Sequence, residues 1–281
     1  MDIATQAAKA AKLRQLHHGP RILILPNAWD AISARILEDA GFPAVATTSA
    51  GMAAALGYPD GQRVPPGEML EAVARIARAV SVPVTADLEA GYGTSPGELA
   101  DFARAVVQSG AVGLNLEDVT GDDESSEVPL ALQVEKIMAV REASAAAGVP
   151  LVINARTDIY LMPVGPEETR FQRTVDRLRA YREAGASCLF APGIRDAETI
   201  GRLVKALEAP LNILLQPGGP TVRELEKLGV ARASAGSGPH RVALTALREA
   251  AIALRDYGDH TPFFRDAITW SEVNRLLGRE A

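Results

Sequence analysis

Five carboxylates and one guanidinium carry the chemical promise of this sequence: Asp60, Asp87, Glu89, Glu117 and Asp118, with Arg156. All of them follow short apolar runs of strand length. Carboxylates crowded at one place repel each other unless a cation joins them. Oxygen ligands drawn from several elements suit Mg2+ or Mn2+, which bind through one or two carboxylates and keep waters. The four histidines, His17, His18, His240 and His260, lie away from these segments. That disfavours zinc or iron. None of the five lysines follows a strand-like run, which argues against Schiff-base chemistry. Cys188 falls inside an apolar run and reads as a buried thiol. A lone Asp after a strand also serves as a helix N-cap, and that role is open to Asp30, Asp118 and Asp158. Asp87-Leu88-Glu89-Ala90-Gly91-Tyr92-Gly93 is different. Two carboxylates and two glycines at one strand end are more than a cap needs.

The elements that position these residues are legible as an alternating series. Eight apolar runs read as strands: Ile22–Leu25, Ala44–Thr47, Val84–Ala86, Val112–Leu116, Leu151–Asn154, Cys188–Ala191, Ile213–Leu215 and Arg232–Ala235. They are apolar throughout, as expected of parallel strands covered on both faces. Between them lie segments with apolar residues three and four apart, including Ala31–Ala40, Glu68–Val80, Pro96–Gln108, Leu130–Ala147, Glu167–Ala184 and Ala197–Leu207. Pro66, Pro96, Pro129 and Pro166 mark helix starts, and Gly41, Gly110, Gly148, Gly185 and Gly229 mark helix ends. Eight units of about 30 residues predict an α/β fold of the (β/α)8 TIM-barrel type over residues 1–258. A doubly wound sheet is the alternative, but the Gly91-Tyr92-Gly93 segment lacks the dinucleotide-binding spacing. Residues 259–281 form a C-terminal helical extension, with an apolar helix expected over Thr261–Arg279.

Composition removes other classes. The chain has 281 residues and a net charge of −6, so a nucleic-acid partner is not expected. A single cysteine excludes an intrachain disulfide. No run of about 18 apolar residues spans a membrane, and Met1 to Leu16 has no apolar signal region, so a cytoplasmic location is expected. In a barrel, functional residues sit at the C-terminal ends of the strands. Gly218, Gly219, Gly236, Ser237 and Gly238 leave open a phosphate cradle after the last two strands. His240 is expected at the surface in a first helical turn, with a late general base as its alternative role.

Four motifs in order resemble the isocitrate lyase / phosphoenolpyruvate mutase superfamily. Asp87-Leu88-Glu89-Ala90-Gly91-Tyr92-Gly93 resembles its D-x-D-x-G-Y-G segment. Leu116-Glu117-Asp118 is similar to its L/I-E-D, and Asn154-Ala155-Arg156-Thr157-Asp158 to its A-R-T-D. Thr48-Ser49-Ala50, before Leu56-Gly57-Tyr58-Pro59-Asp60, resembles its substrate loop. The resemblance covers Leu25 to about Leu254. It implies a modified barrel whose C-terminal helix swaps between subunits of a homo-oligomer, a tetramer or a dimer.

The resemblance also implies roles. Asp87 would bind Mg2+, with Mn2+ possible. Glu89, Glu117 and Asp60 would hold metal waters, Asp60 also orienting its loop, and both Glu117 and Asp60 would serve catalysis. Thr48, Ser49, Ala50 and Asn154 would bind a small 2-oxo acid or dicarboxylate. Arg156 would bind substrate oxygens and stabilise an enolate. The implied activity is a Mg2+-dependent C–C lyase or decarboxylase. Phosphonopyruvate hydrolase or phosphonomutase P–C chemistry is the alternative, and a non-catalytic 2-oxo acid binder is a third reading. Three departures stand out. Glu89 replaces the second Asp of D-x-D. Thr48 and Ser49 replace Ser and Gly in the substrate loop. Segment 119–128 carries neither the lyase K-K-C-G-H nor the mutase K-T-N-S, but an acidic run without Cys, His or Lys.

Overall fold

A computed structural model describes residues 2–119, 127–162 and 165–278. The acidic segment 119–128, which departs from both family motifs, therefore lies largely outside the described residues, at 120–126.

The strands are β1 (Leu23–Leu25), β2 (Asn27–Ala28), β3 (Val45–Thr47), β4 (Val84–Asp87), β5 (Gly113–Glu117), β6 (Val152–Arg156), β7 (Cys188–Phe190), β8 (Leu211–Leu214) and β9 (Arg232–Ser234). All pair in parallel, in the order β1-β9-β8-β7-β6-β5-β4-β3-β2. β1 and β2 are two pieces of one barrel strand, separated by Pro26, whose missing N–H cannot join the ladder. Asn27 bridges the break. Its amide donates to the Thr47 carbonyl at 2.7 Å and its Oδ1 accepts from the Ala235 N–H at 2.9 Å. Eight barrel strands therefore close on themselves, as the sequence predicts.

The helices are α1 (Ile3–Leu16), α2 (Ala31–Asp39), α3 (Ser49–Leu56), α4 (Pro66–Ala79), α5 (Pro96–Ser109), α6 (Leu130–Ala146), α7 (Glu167–Glu183), α8 (Ala197–Leu207), α9 (Val222–Lys227), α10 (Gly238–Tyr257) and α11 (Trp270–Leu277). α1 packs at the N-terminal end of the barrel. Its Gln6 amide donates to the Val107 and Ala111 carbonyls at 2.7 and 2.9 Å, and Leu13 is fully buried. Gly113 is required beneath it. A Cβ there would stand 2.7 Å from the Val152 carbonyl oxygen and 2.9 Å from Thr85 Oγ1. α3 occupies the segment read from sequence as a substrate loop. The expected helix over Thr261–Arg279 is shorter in the structure. A 3-10 turn at Thr261–Phe263 is followed by irregular chain, and Thr269 caps α11.

The strands are not apolar on both faces. Thr85 and Asp87, Asn115 and Glu117, Asn154 and Arg156, and Arg232 and Ser234 occupy alternate positions of β4, β5, β6 and β9. Alternation by two places each pair on one face. That face is the barrel interior, because the Asn154 amide donates to Asn115 Oδ1 at 2.7 Å and the Asn115 amide donates to Asp87 Oδ1 at 2.8 Å. Register explains the contact: Asp87 pairs with Asn115, and Asn115 with Asn154. Leu114, Leu116, Ile153 and Ala155 alternate outward and are buried under the helices. Burying such side chains supplies about 1.5–3 kcal/mol each for the larger ones, and the interior amides hold their place only because they bond each other.

Candidate active site

A cavity of about 210 Å3 opens at the C-terminal ends of the strands. Ser49, Asp60, Glu89, Glu117, Arg156 and Asp158 line it, and Val119, Leu161 and Met162 give it an apolar wall. A larger groove of about 710 Å3 lies elsewhere, between α2, α4 and α11. Its arginines include Arg35, paired with Glu38, Arg75, paired with Glu71, and Arg275, paired with Asp39. It lies beside the entry to β4, away from the strand ends where barrel chemistry sits.

Asp87 ends β4 and is fixed from three directions. Its Oδ2 accepts from the Ser49 N–H and from the Ser49 hydroxyl, both at 2.9 Å, and its Oδ1 accepts from Asn115. The turn after it is forced. Glu89 and Tyr92 hold φ of 53° and 55°, in the left-handed region that non-glycine residues avoid. Gly91 has φ 87°, and a Cβ there would lie 2.4 Å from Leu99 Cδ1. Gln62 Oε1 accepts from the Tyr92 N–H at 3.0 Å, tying this turn to the loop that carries Asp60. Strain of this kind persists where the surrounding structure over-determines the backbone, and it clusters at functional sites.

Arg156 is the cation that lines the cavity. Its Nε and Nη2 donate to the two oxygens of Asp158 at 2.5 and 2.8 Å, and its Nη1 donates to Glu117 Oε1 at 2.5 Å. Its guanidinium also lies 5.6 Å from the Phe190 ring centroid. Burial opposes the Arg156 charge, but Glu117 and Asp158 outweigh it and raise its pKa. Burial raises Glu117 well above the ordinary carboxyl range, against the pull of Arg156. Burial likewise raises Asp158. Glu89 is pushed up to about 7, first by burial and then by Asp60 and Asp87.

Glu89 gives a pH signature to the metal-free protein. Its folded pKa is about 7, against an ordinary value of 4.5. Between those values the folded chain holds a proton that the unfolded chain releases. Stability therefore falls as pH rises from 4.5, and this contribution is lost as pH passes through about 7. Melting temperatures across this window should fall with pH in wild type and show a flatter profile in Glu89→Gln. A divalent ion should reverse the trend. Equal slopes for the two proteins would show that Glu89 is not the group.

The donor set fits a hard divalent cation. Asp60, Asp87, Glu89 and Glu117 surround or border a cavity lined by one cation. Among the described residues no three His, Cys, Asp or Glu side chains close to direct-ligand geometry. Mg2+ binds through one or two carboxylates and keeps several waters, so the fit rests on the oxygen-only chemistry of these side chains.

The remaining expected site residues are placed as follows. Thr48 is buried and caps α3, its Oγ1 accepting from the Gly51 N–H at 3.4 Å. Ser49 lines the cavity, with its hydroxyl and N–H both committed to Asp87. Ala50 is half-buried in the first turn of α3. Asn154 is fully buried below the mouth and bonded to Asn115. Asp30 is an N-cap of α2, in a capping box with Ser33. Asp118 and Asp158 are not caps, since Pro129 and Pro166 occupy those places. His240 is buried rather than exposed, its ring 5.2 Å from that of Trp29. Cys188 is buried, as expected. Gly218, Gly219, Gly236, Ser237 and Gly238 do not line the cavity. Sequence reading missed Asn115. Its signal was its place two residues before Glu117, on the same inward face.

Known proteins resemble this chain in sequence and in fold. The sequence matches the phosphoenolpyruvate phosphomutase family over residues 13–255. It is 31% identical over 252 residues to an oxaloacetate decarboxylase of Pseudomonas fluorescens, covering 83% of this chain and 82% of that one. The structure of oxaloacetate acetylhydrolase with its product oxalate superposes with a TM-score of 0.85 at 29% identity, covering 96% and 94% of the two chains. Phosphonopyruvate hydrolase with oxalate and Mg2+ superposes with a TM-score of 0.83 at 25% identity, covering 95% and 94%. With its parallel barrel and its carboxylate-ringed mouth, the chain belongs to the isocitrate lyase / phosphoenolpyruvate mutase superfamily.

Proposed function

We propose that this protein is a Mg2+-dependent carbon–carbon lyase or decarboxylase acting on a small 2-oxo carboxylic acid, with Mn2+ able to replace Mg2+. The observation that carries this reading is Arg156, a cation lining a cavity of carboxylates. The relatives support it: an oxaloacetate decarboxylase at 31% identity, and two similar enzymes bound to oxalate.

Asp87 would hold the ion, with Asp60, Glu89 and Glu117 on its waters. When bound, the ion supplies Lewis-acid polarisation of the 2-oxo carboxylate. Arg156 spends three of about five N–H donors on Asp158 and Glu117, and the others are left for substrate oxygens. It is thereby preorganised to meet charge developing on an enolate oxygen. Thr48, Ser49 and Ala50 would orient the substrate carboxylate through the start of α3. Val119, Leu161 and Met162 exclude water from one wall. C–C cleavage that releases CO2 needs an electron sink but no nucleophile, which suits a mouth without Cys or Lys.

Release of pyruvate from oxaloacetate and from 2-methylmalate-type acids, with Mg2+ and with chelator, tests the reading. Turnover that stops on chelation supports it. Phosphate release from phosphonopyruvate would instead favour P–C chemistry, the reading suggested by the phosphonopyruvate hydrolase likeness. Oxalate binding without turnover on any substrate would make the chain a binder.

The protein works as a homo-oligomer, a dimer or tetramer built through residues 259–281. α10 and the segment after it present Val242, Tyr257, Phe264 and Trp270 at 71, 83, 74 and 78% exposure, apolar side chains that a subunit interface would cover. In the single chain α11 rests on α2, with Leu276 buried and Arg275 paired with Asp39 at 3.0 Å. Sedimentation should give a species larger than 29.7 kDa, and removing residues 259–281 should shift it downward. A wild-type monomer at working concentration would exclude the assembly.

A further inference from the structure

Asp118 lies beside the site without lining it, and three donors hold its carboxylate. It is fully buried. Its Oδ2 accepts from Arg177 Nε and from the Tyr181 hydroxyl, both at 2.8 Å. Its Oδ1 accepts from the Asp158 N–H at 3.1 Å. That last bond fixes the backbone of the residue whose carboxylate grips Arg156. Arg177 reaches further. Its Nη2 donates to the Val128 carbonyl at 2.5 Å, its Nη1 to Glu127 Oε2 at 3.3 Å, and its Nε also to the Tyr181 hydroxyl at 3.0 Å. Arg173 donates to the other Glu127 oxygen at 2.7 Å. The Val128 N–H donates to the Asp118 carbonyl at 2.7 Å, and Val119 bridges Glu127.

We propose that Asp118, Arg177 and Tyr181 are positioning residues that set Arg156 in the cavity by acting through Asp158. The inference rests on Arg156 being the substrate-binding cation. The path is short and continuous. α7 holds the Asp118 carboxylate, which holds the Asp158 backbone, whose carboxylate holds two nitrogens of Arg156, and a third bonds Glu117. No link faces the cavity before Asp158. A buried carboxylate bonded to a guanidinium, a hydroxyl and an amide is rigid, because each oxygen has a partner it cannot exchange for water. Rigidity matters because displacing a substrate-binding group by about 1 Å costs on the order of 100-fold in rate.

Two variants test this. Asp118→Asn removes the charge that Arg177 and Tyr181 grip. Tyr181→Phe removes the two hydroxyl bonds, to Asp118 and from Arg177, and keeps the Arg177–Asp118 pair. The first readout needs no substrate: hydrogen exchange of the Arg156 Nε–H, followed by 15N NMR. Exchange should quicken in both variants, more in Asp118→Asn. The second readout is kinetic. kcat/KM should fall about 100-fold in Asp118→Asn and about 10-fold in Tyr181→Phe, the loss falling more on kcat than on KM. A purely structural role would lower the melting temperature and leave Arg156 exchange and kcat alone. That result, in either folded variant, overturns the proposal. If Asp118→Asn does not fold, Tyr181→Phe decides. If wild type turns over no 2-oxo acid, the functional reading fails while Arg156 exchange still decides the positioning role.

Discussion

Replacing Arg156 with methionine should lower turnover by about 1,000-fold and destabilise the fold by about 3–5 kcal/mol. The first figure follows from losing a preorganised cation aimed at developing oxyanion charge. The second follows from what remains. Glu117 and Asp158 have side chains 11% and 4% exposed, and each has Arg156 as its cation. Removing one partner of a buried ion pair leaves an uncompensated charge, which costs far more than the pair itself contributes. Burial already raises both carboxyls. Without Arg156 they should rise further and take up protons, so the variant should lose more stability as pH rises. Arg156→Lys is the informative companion. It keeps the charge but cannot bond both Asp158 oxygens and Glu117 together, so a loss of about 100-fold is expected. Steady-state kinetics and denaturant unfolding measure both effects. A methionine variant within tenfold of wild-type turnover would remove Arg156 from the chemistry.

Asp87→Asn should abolish metal-dependent turnover, with a loss of at least about 1,000-fold, and weaken Mn2+ binding by more than tenfold. The substitution is nearly isosteric, but all three hydrogen bonds to Asp87 come from donors: the Ser49 N–H, the Ser49 hydroxyl and the Asn115 amide. An asparagine NH2 would point at one of them. Leaving a buried donor unmet costs about 1–3 kcal/mol, so a lower melting temperature is expected as well. Ser49→Ala separates the two effects, since it keeps the carboxylate and removes one bond. It should retain Mn2+ binding within a few-fold. Electron paramagnetic resonance of bound Mn2+ reads affinity without turnover. Unchanged affinity in Asp87→Asn would move the metal elsewhere.

Much of the site is legible in the sequence because it sits on strand ends. A strand end is marked by an apolar run, and the residues after it are read directly. Asp87, Glu89, Glu117 and Arg156 were found that way, and the structure gathers all four at one mouth. Asn154 and Asn115 were harder. Asn154 stands two residues before Arg156, which looks like the edge of a site. The barrel puts it a layer lower, fully buried, as the prop of Asn115. Depth inside a barrel depends on strand register and tilt, and neither is written in local composition. Asp30, Asp118 and Asp158 are alike as isolated aspartates after strands. Only the position of the next helix separates the cap from the other two.

The sequence by itself determined the inventory. It set the alternating units that make a barrel, the order of the four motifs, and the absence of lysine, histidine and cysteine from those motifs. Those are properties of residue type and spacing, which no fold can alter. Tertiary structure decided the partnerships. It committed the Ser49 hydroxyl to Asp87, divided Arg156 between Glu117 and Asp158, and joined Asp118 to Arg177, 59 residues away. Parallel pairing brings residues far apart in the chain into register, as Asp87 with Asn115 and Asn115 with Asn154. A charge then takes its pKa and its role from neighbours that the chain supplies only after folding.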